Sequence, residues 1–473
     1  MQSERVLDIF KEITTIPRES GHEGPITDWL CRWAEAHSLE FRRDDTGNVL
    51  IIRPAAPGKE SVPAIVLQAH QDMVCEKNAG VEHDFRKDPI HYVIEDGWMI
   101  AKDTTLGADD GIGIAACLAL LEDDAPTGRI ECLFTISEET GMDGAEALES
   151  GFFSGKTLIN LDSEDEGQLF IGCAGGLNTN IRFRVTRRRS DLPCLRLSIG
   201  GGIGGHSGDD INKGRANTVK LMARFLNSQL ESGLLLVSID GGGKPNAIAR
   251  ECEAVVAVPD PDACIKAFRA FGADICEEFH RTDPKLVCKA ELSDSAIKPI
   301  AAPASRRVIS ALFACPHGVE AMSQDIPGLV QTSTNLASAH MRKGGSEIEI
   351  VTSQRSSATS ERRAMAAKVR ACFELAGAEV RHMYEYPGWN PDVNSHILAR
   401  TVESYRRLFN QEPEVLAIHA GLECGLFLQK FPGLDMISFG PTLRGVHAPG
   451  EKLELASMDK FVALLDDVVR NFE

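Results

Sequence analysis

Aromatic residues make up only 6% of this 473-residue chain, and basic side chains are scarce beside acidic ones, 50 Lys and Arg against 69 Asp and Glu. A formal charge of −19 argues against a polyanionic partner, so no nucleic acid is expected. No apolar run reaches membrane-spanning length, so no membrane partner is expected either. The pattern Cys-x-x-Cys is missing although there are 13 cysteines. An odd number of thiols scattered singly, as at Cys31, Cys75, Cys117 and Cys132, reads as reduced and buried rather than as a disulfide framework. Phosphate-cradling loops are lacking too: GADDGIG has the glycines but neither the lysine nor the spacing. Met1 to Gly24 mix charged and apolar residues without the layout of a signal peptide, and the expected compartment is the cytoplasm. What remains is ordinary for a soluble enzyme, 43% apolar and 25% charged, in a chain too long for one core.

Acidic residues and histidines are present where they matter. LQAHQDMV, TTLGADDGIG, FTISEETGMDG and LINLDSEDEG all lie between Leu67 and Gly167, and three of them end an apolar run with hard or borderline ligands. VPAIVL leads to His70 and Asp72, RIECLFTI to Glu138 and Glu139, and KTLINL to Asp162. Asp109 and Asp110 stand between a glycine turn and the helical stretch IGIAACLALL. Ligands of α/β folds gather at the carboxyl ends of sheet strands. One His and several carboxylates arriving at one edge suit Zn²⁺ or a similar divalent ion. Farther on, SFGPTLRGVHAPGEKLEL sets His447 in a loop bounded by glycine and proline, where a polar residue is more often functional than average.

The chain order predicts an α/β architecture. VLDIFKEI and ITDWLCRWAEAH have helical spacing, NVLIIRPA and PAIVLQAH read as strands, and HYVIEDGWMIAKD reads as a hairpin around Asp96-Gly97. The basic stretch RVTRRRSD marks a change of pattern, and the α/β layout returns near Trp389. The expectation is a discontinuous catalytic domain over 1–183 and 386–473, a mixed sheet flanked by helices. An inserted α+β lid or dimerisation-type domain over 184–385 is expected as two ferredoxin-like-sized sandwiches, with hinges near Arg182 and Tyr386.

HQDMV, TTLGADDGIG, ISEETGMDGA, LDSE, GGHSG, HAGLECG and GPTLRGVHAPGE together resemble, in order and over nearly the whole chain, the bacterial aminoacyl-histidine dipeptidases. These belong to the aminoacylase- and carboxypeptidase-like dinuclear zinc peptidases. The resemblance implies two divalent ions, zinc first with manganese or cobalt as alternatives. His70 and Asp162 would bind one, Glu139 and His447 the other, and Asp109 would bridge them. Glu138 would be the general base for a water between the ions, and Asp72 would hold His70 through its other ring nitrogen. A cis peptide would follow the bridging residue, at Asp109–Asp110, where relatives often carry Asn at position 110. In the inserted domain His206 would donate to the oxyanion of the tetrahedral intermediate. Asn246 and Arg355 are the other substrate-binding candidates there, Arg355 by bidentate capture of a free carboxylate. His419 and Glu423 of HAGLECG would shape the pocket, Glu423 by accepting a free α-amino group or serving as a charge at a helix N-terminus. The implied activity is metal-dependent cleavage of short peptides, Xaa-His dipeptides such as carnosine among them. N-acyl amino acid deacylation is the alternative on the same site. The implied partner is a dipeptide, and a homodimer and a single chain are equally compatible with the sequence.

Overall fold

The computed structural model describes residues 1–473 except Ala296 and Lys343. The chain divides into two compact units, one of Met1–Gly172, Trp389–Ala417 and Leu422–Glu473, the other of Cys173–Gly388 and Ile418–Gly421.

The first unit is built on an eight-stranded mixed sheet. Its central strands Ile65–His70, Ile130–Thr135 and Thr157–Asn160 run parallel. The first two are buried at every position, which is why they read as unbroken apolar runs: helices cover both faces of a parallel sheet. Helix Ala108–Glu122 is buried from Ala108 to Leu121 and lacks a polar face, as an interior helix must. Burying each of its large apolar side chains contributes about 1.5–3 kcal/mol. Strands Tyr92–Glu95 and Trp98–Ala101 form the hairpin expected at Asp96-Gly97. Both turn residues have positive φ, 49° and 81°, which Asp-Gly accommodates.

The second unit differs from the expectation in two ways. Its two halves share one nine-stranded antiparallel sheet, because Asp240–Gly242 pairs with Ser338–His340 and joins them edge to edge. Helices Thr218–Ser228, Pro261–Glu278, Ala302–Ala314 and Thr359–Leu375 all pack into one apolar core on that sheet, with Phe225, Phe268, Leu312 and Phe373 among its members. The unit also begins earlier than 184, at Cys173, because strand Gly175–Arg184 belongs to its sheet and pairs with Glu347–Ser356 and Glu379–Tyr386. The basic stretch after Arg184 is a connection within one unit. Arg182 and Tyr386 accordingly lie in paired strands rather than in free connections. Among the described residues, no helix is long and apolar enough to cross a membrane.

Candidate metal centre

Strand register brings the ligands together. His70 lies opposite Thr135 on one neighbouring strand, and Gln68 opposite Asn160 on the other. The chain therefore leaves the sheet at one edge three times, just before Asp72, Glu138 and Asp162. His70 Nε2 lies 3.0 Å from Asp109 Oδ1 and 3.4 Å from Asp162 Oδ1. His447 Nε2 lies 3.1 Å from Asp109 Oδ2 and 2.9 Å from Glu139 Oε1. His70, Asp109 and Asp162 thus form one candidate ligand group, and Asp109, Glu139 and His447 another, with ligand atoms inside each group within 4.8 Å of one another. Asp109 gives one oxygen to each. The buried Glu139 Oε1 stands 2.9 Å from His447 Nε2, an arrangement that suits donors converging on a cation. One imidazole and two carboxylates per group is a donor set for zinc or a similar divalent ion.

The electrostatics agree with crowded donors. Burial disfavours a charged His70, yet Asp162, Asp109 and Asp72 overcome it and hold the imidazolium well above its ordinary range. The Asp109 and Glu139 carboxylates, accepting from the ring, raise His447 to about 11. Burial, opposed by His70, pushes the Glu138 acid up to about 8, with Glu139 and Asp109 adding to the rise.

Neighbouring carboxylates on a strand would face opposite ways, but Glu138 and Glu139 are not on the strand. Ser137 turns the chain with φ of 53°, and Glu138–Gly141 forms a single helical turn. Glu23 secures that turn by accepting from Ser137 N at 3.1 Å and Ser137 Oγ at 2.9 Å. Asp72 accepts the backbone N–H of Glu138 at 3.0 Å and that of Glu139 at 3.2 Å, while its Oδ1 lies 3.3 Å from His70 Nδ1. The Asp109–Asp110 peptide is cis. Asp110 is buried and accepts from Gly113 N at 3.1 Å. A side chain at Gly113 would collide with that carboxylate, its Cβ only 2.3 Å from Oδ1. Burial, against the pull of His70, drives Asp110 well above the usual carboxylate range.

The second unit gathers a separate polar cluster. Arg355 is only 7% exposed, yet its guanidinium meets no carboxylate at hydrogen-bond distance. Nη1 lies 3.4 Å from Tyr386 Oη, Nη2 lies 3.4 Å from His206 Nε2, and Nε has no partner. His419 is buried with Nε2 at 2.7 Å from Ser333 Oγ, and burial, with Arg355 nearby, lowers it to about 3. Asn246 is exposed, and its carbonyl accepts from Ser207 N at 2.8 Å, which holds its loop against that of His206.

Residues 66–471 match Peptidase family M20/M25/M40. The chain belongs to this family. Over 469 residues, 98% of this M20 chain and 96% of the relative, it is 37% identical to the cytosol non-specific dipeptidase of Escherichia coli K12. The crystal structure of aminoacylhistidine dipeptidase from Vibrio alginolyticus superposes with a TM-score of 0.92 at 38% identity, covering 99% of this chain and 96% of that one. Aminopeptidase PepT from Bacillus cereus superposes with a TM-score of 0.59 at 17% identity, covering 99% and 98%, a likeness of fold alone.

Two residues that hold the M20 site together carry little signal in the sequence. Glu451 is buried and accepts the backbone N–H groups of Leu106, Gly107 and Ala108 at 2.7, 2.9 and 2.8 Å, so it anchors the segment entering Asp109. It follows His447 by four residues and is the sole carboxylate in that loop, which is the one available hint. Arg18, also buried, donates to the carbonyls of Gln71, Asp72 and Gly107. Its partners are all backbone atoms, which a sequence does not display.

Glu423 is 0% exposed. Its Oε2 accepts from Gln68 Nε2 at 2.6 Å and Thr135 Oγ1 at 2.9 Å, while its Oε1 has no partner. Burial raises it to about 8. It is the first residue of helix Glu423–Lys430, the place the sequence also offers for a charge at a helix N-terminus.

Proposed function

We propose that this M20 peptidase is a dinuclear metallo-dipeptidase acting on short peptides, Xaa-His dipeptides such as carnosine among them. The observation that carries the reading is Asp109, which turns one oxygen toward His70 and the other toward His447. Zinc is the proposed metal, with manganese or cobalt as alternatives, held by His70 and Asp162 on one side, Glu139 and His447 on the other, and Asp109 between. When bound, such a pair supplies a strong nucleophile at neutral pH and polarises the scissile carbonyl.

The chain's own residues do the rest. Glu138 accepts the proton of the attacking water and returns it to the leaving amine, a task for a carboxylate beside the ligands but not consumed as one. Asp72 fixes the His70 ring and the turn that carries Glu138. In the second unit, Arg355 takes the substrate carboxylate, a buried guanidinium with unused donors being suited to it. His206 donates to the oxyanion, and Asn246 and His419 contact the substrate. The similarity to the cytosol non-specific dipeptidase of E. coli supports a cytoplasmic location. A homodimer is a compatible arrangement.

Deacylation of N-acyl amino acids is not favoured, because both highly similar relatives are named as dipeptidases. The test is hydrolysis by metal-loaded protein of β-Ala-His, several plain dipeptides and N-acetyl amino acids. Cleavage of the dipeptides with little acetate release is expected. Acetate release without dipeptide cleavage would overturn the reading.

A further inference from the structure

Two consecutive aspartates follow His206, and they do different things. Asp210 holds the loop: its Oδ2 accepts His206 N–H at 2.8 Å, and it pairs with Lys213 at 2.8 Å and Arg215 at 3.1 Å. Asp209 addresses the ring itself, with Oδ2 at 2.9 Å from His206 Nδ1. The loop has little freedom to rearrange. Gly208 packs so closely that a Cβ there would lie 2.3 Å from the His419 carbonyl and 3.1 Å from His206 Cε1.

The Asp209 backbone N–H lies 3.4 Å from Nδ1, but the carboxylate, which only accepts, is closer at 2.9 Å, so Nδ1 carries the proton that joins it to Asp209. That assigns the tautomer from the hydrogen-bond network. The other nitrogen, Nε2, faces Arg355 Nη2 at 3.4 Å, and to donate to an oxyanion it must carry a proton as well. Asp209 stands on the far side of the ring, its own acidity strengthened first by the bond to His206 and also by Arg355.

We propose that Asp209 is a positioning residue that orients His206 through Nδ1, so that Nε2 is the nitrogen presented to substrate. This rests on the reading of His206 as the oxyanion donor. Asp209 makes no claim on substrate itself; it acts through the imidazole, as the buried acid of a catalytic triad acts through its histidine.

The test uses the full-length, metal-loaded enzyme and a cleaved dipeptide. Asp209→Asn keeps size but removes the charged acceptor, so the Nδ1–H bond that orients the ring is weakened. Its kcat is expected to fall roughly 10- to 100-fold with KM changed less than about threefold, since Arg355 still holds the carboxylate. Asp209→Glu, which restores an acceptor, should recover most of kcat. In a His206→Ala background, Asp209→Asn should have no further effect. ¹⁵N-histidine spectra should show a protonated, hydrogen-bonded Nδ1 at His206 in the parent and loss of that bond in Asp209→Asn. If His206→Ala lowers kcat but Asp209→Asn does not, the positioning role is wrong and the oxyanion reading stands. An equal loss from Asp209→Asn with and without His206 would make the effect one of general structure, and would also overturn it. An unchanged kcat in His206→Ala would remove the oxyanion reading and this inference with it.

Discussion

Asp72 Oδ1 lies 3.3 Å from His70 Nδ1 and accepts the backbone N–H of Glu138 at 3.0 Å. One oxygen thus touches both a metal ligand, whose Nδ1 also meets the Asp72 carbonyl at 3.1 Å, and the amide of the proposed base. The other oxygen accepts Ser20 Oγ at 2.8 Å, so the carboxylate is itself held in place. Its acidity survives burial because His70, Ser20 and the Glu138 amide all favour the charged form.

Asp72→Asn should therefore weaken both functions. Zinc affinity is expected to fall about 10- to 100-fold, as for other residues that orient ligating histidines. At saturating zinc, kcat should remain reduced because the Glu138 turn has lost a charged anchor. Competition with a chromogenic chelator and steady-state kinetics at fixed free zinc would measure the two. Full recovery of kcat on saturation would show that Asp72 serves only His70.

Glu451 should behave as a structural latch. Glu451→Ala would leave the buried N–H groups of Leu106, Gly107 and Ala108 without their acceptor, costing about 3 kcal/mol or more. Urea unfolding should show the loss, and metal retention should drop because Asp109 follows that segment directly. Glu451→Gln, which keeps one acceptor oxygen, should lose less. Equal stability of all three proteins would contradict the latch.

Arg355 is proposed to read the substrate carboxylate. Arg355→Lys keeps the charge but not the forked donor geometry, so kcat/KM for a free dipeptide should fall tenfold or more, about 1.4 kcal/mol. The corresponding dipeptide amide should be cleaved almost equally by both proteins. Equal losses on both substrates would assign Arg355 to packing rather than to carboxylate recognition.

Much of the candidate metal centre is legible in the sequence. Apolar strands covered on both faces stand out as runs, and the carboxylates and histidine that end them are conspicuous for the same reason. Glu451 and Arg18 stayed hidden because they bind main-chain groups, and any residue type offers those. The depth of Glu423 is not legible, because a carboxylate in a glycine-bounded motif gives no sign of burial. The single sheet of the second unit depends on three residue pairs between Asp240–Gly242 and Ser338–His340. Strands that already look complete do not advertise an edge contact of that kind. The basic run after Arg184 reads as a break in the pattern because charge runs usually lie in solvent, yet it joins two strands of one sheet.

An acid-stability prediction concerns Glu131, away from the metals. It is 1% exposed and accepts from Ser154 N, Ser154 Oγ, Gly155 N and Arg129 Nε at 2.7 to 2.9 Å. Burial opposes its charge, but Arg129 and these bonds win and depress its folded value below 4.5. A depressed carboxylate stabilises the fold fully above its unfolded value, and that stability is lost as pH falls through the folded one. Glu131→Gln should lower stability at pH 7 and flatten its decline below about pH 4.5. Urea midpoints from pH 3 to 7 would test this, and parallel curves for the two proteins would refute it.

The most direct test of the whole account is Glu138→Gln, assayed for bound metal and for dipeptide cleavage in the same preparation. The substitution removes the base and leaves His70, Asp109, Glu139, Asp162 and His447 intact. The account predicts two metal ions per chain, as in the parent, with kcat reduced at least 100-fold. Substantial cleavage by the metal-loaded variant would contradict it, because some other group would then be moving the proton.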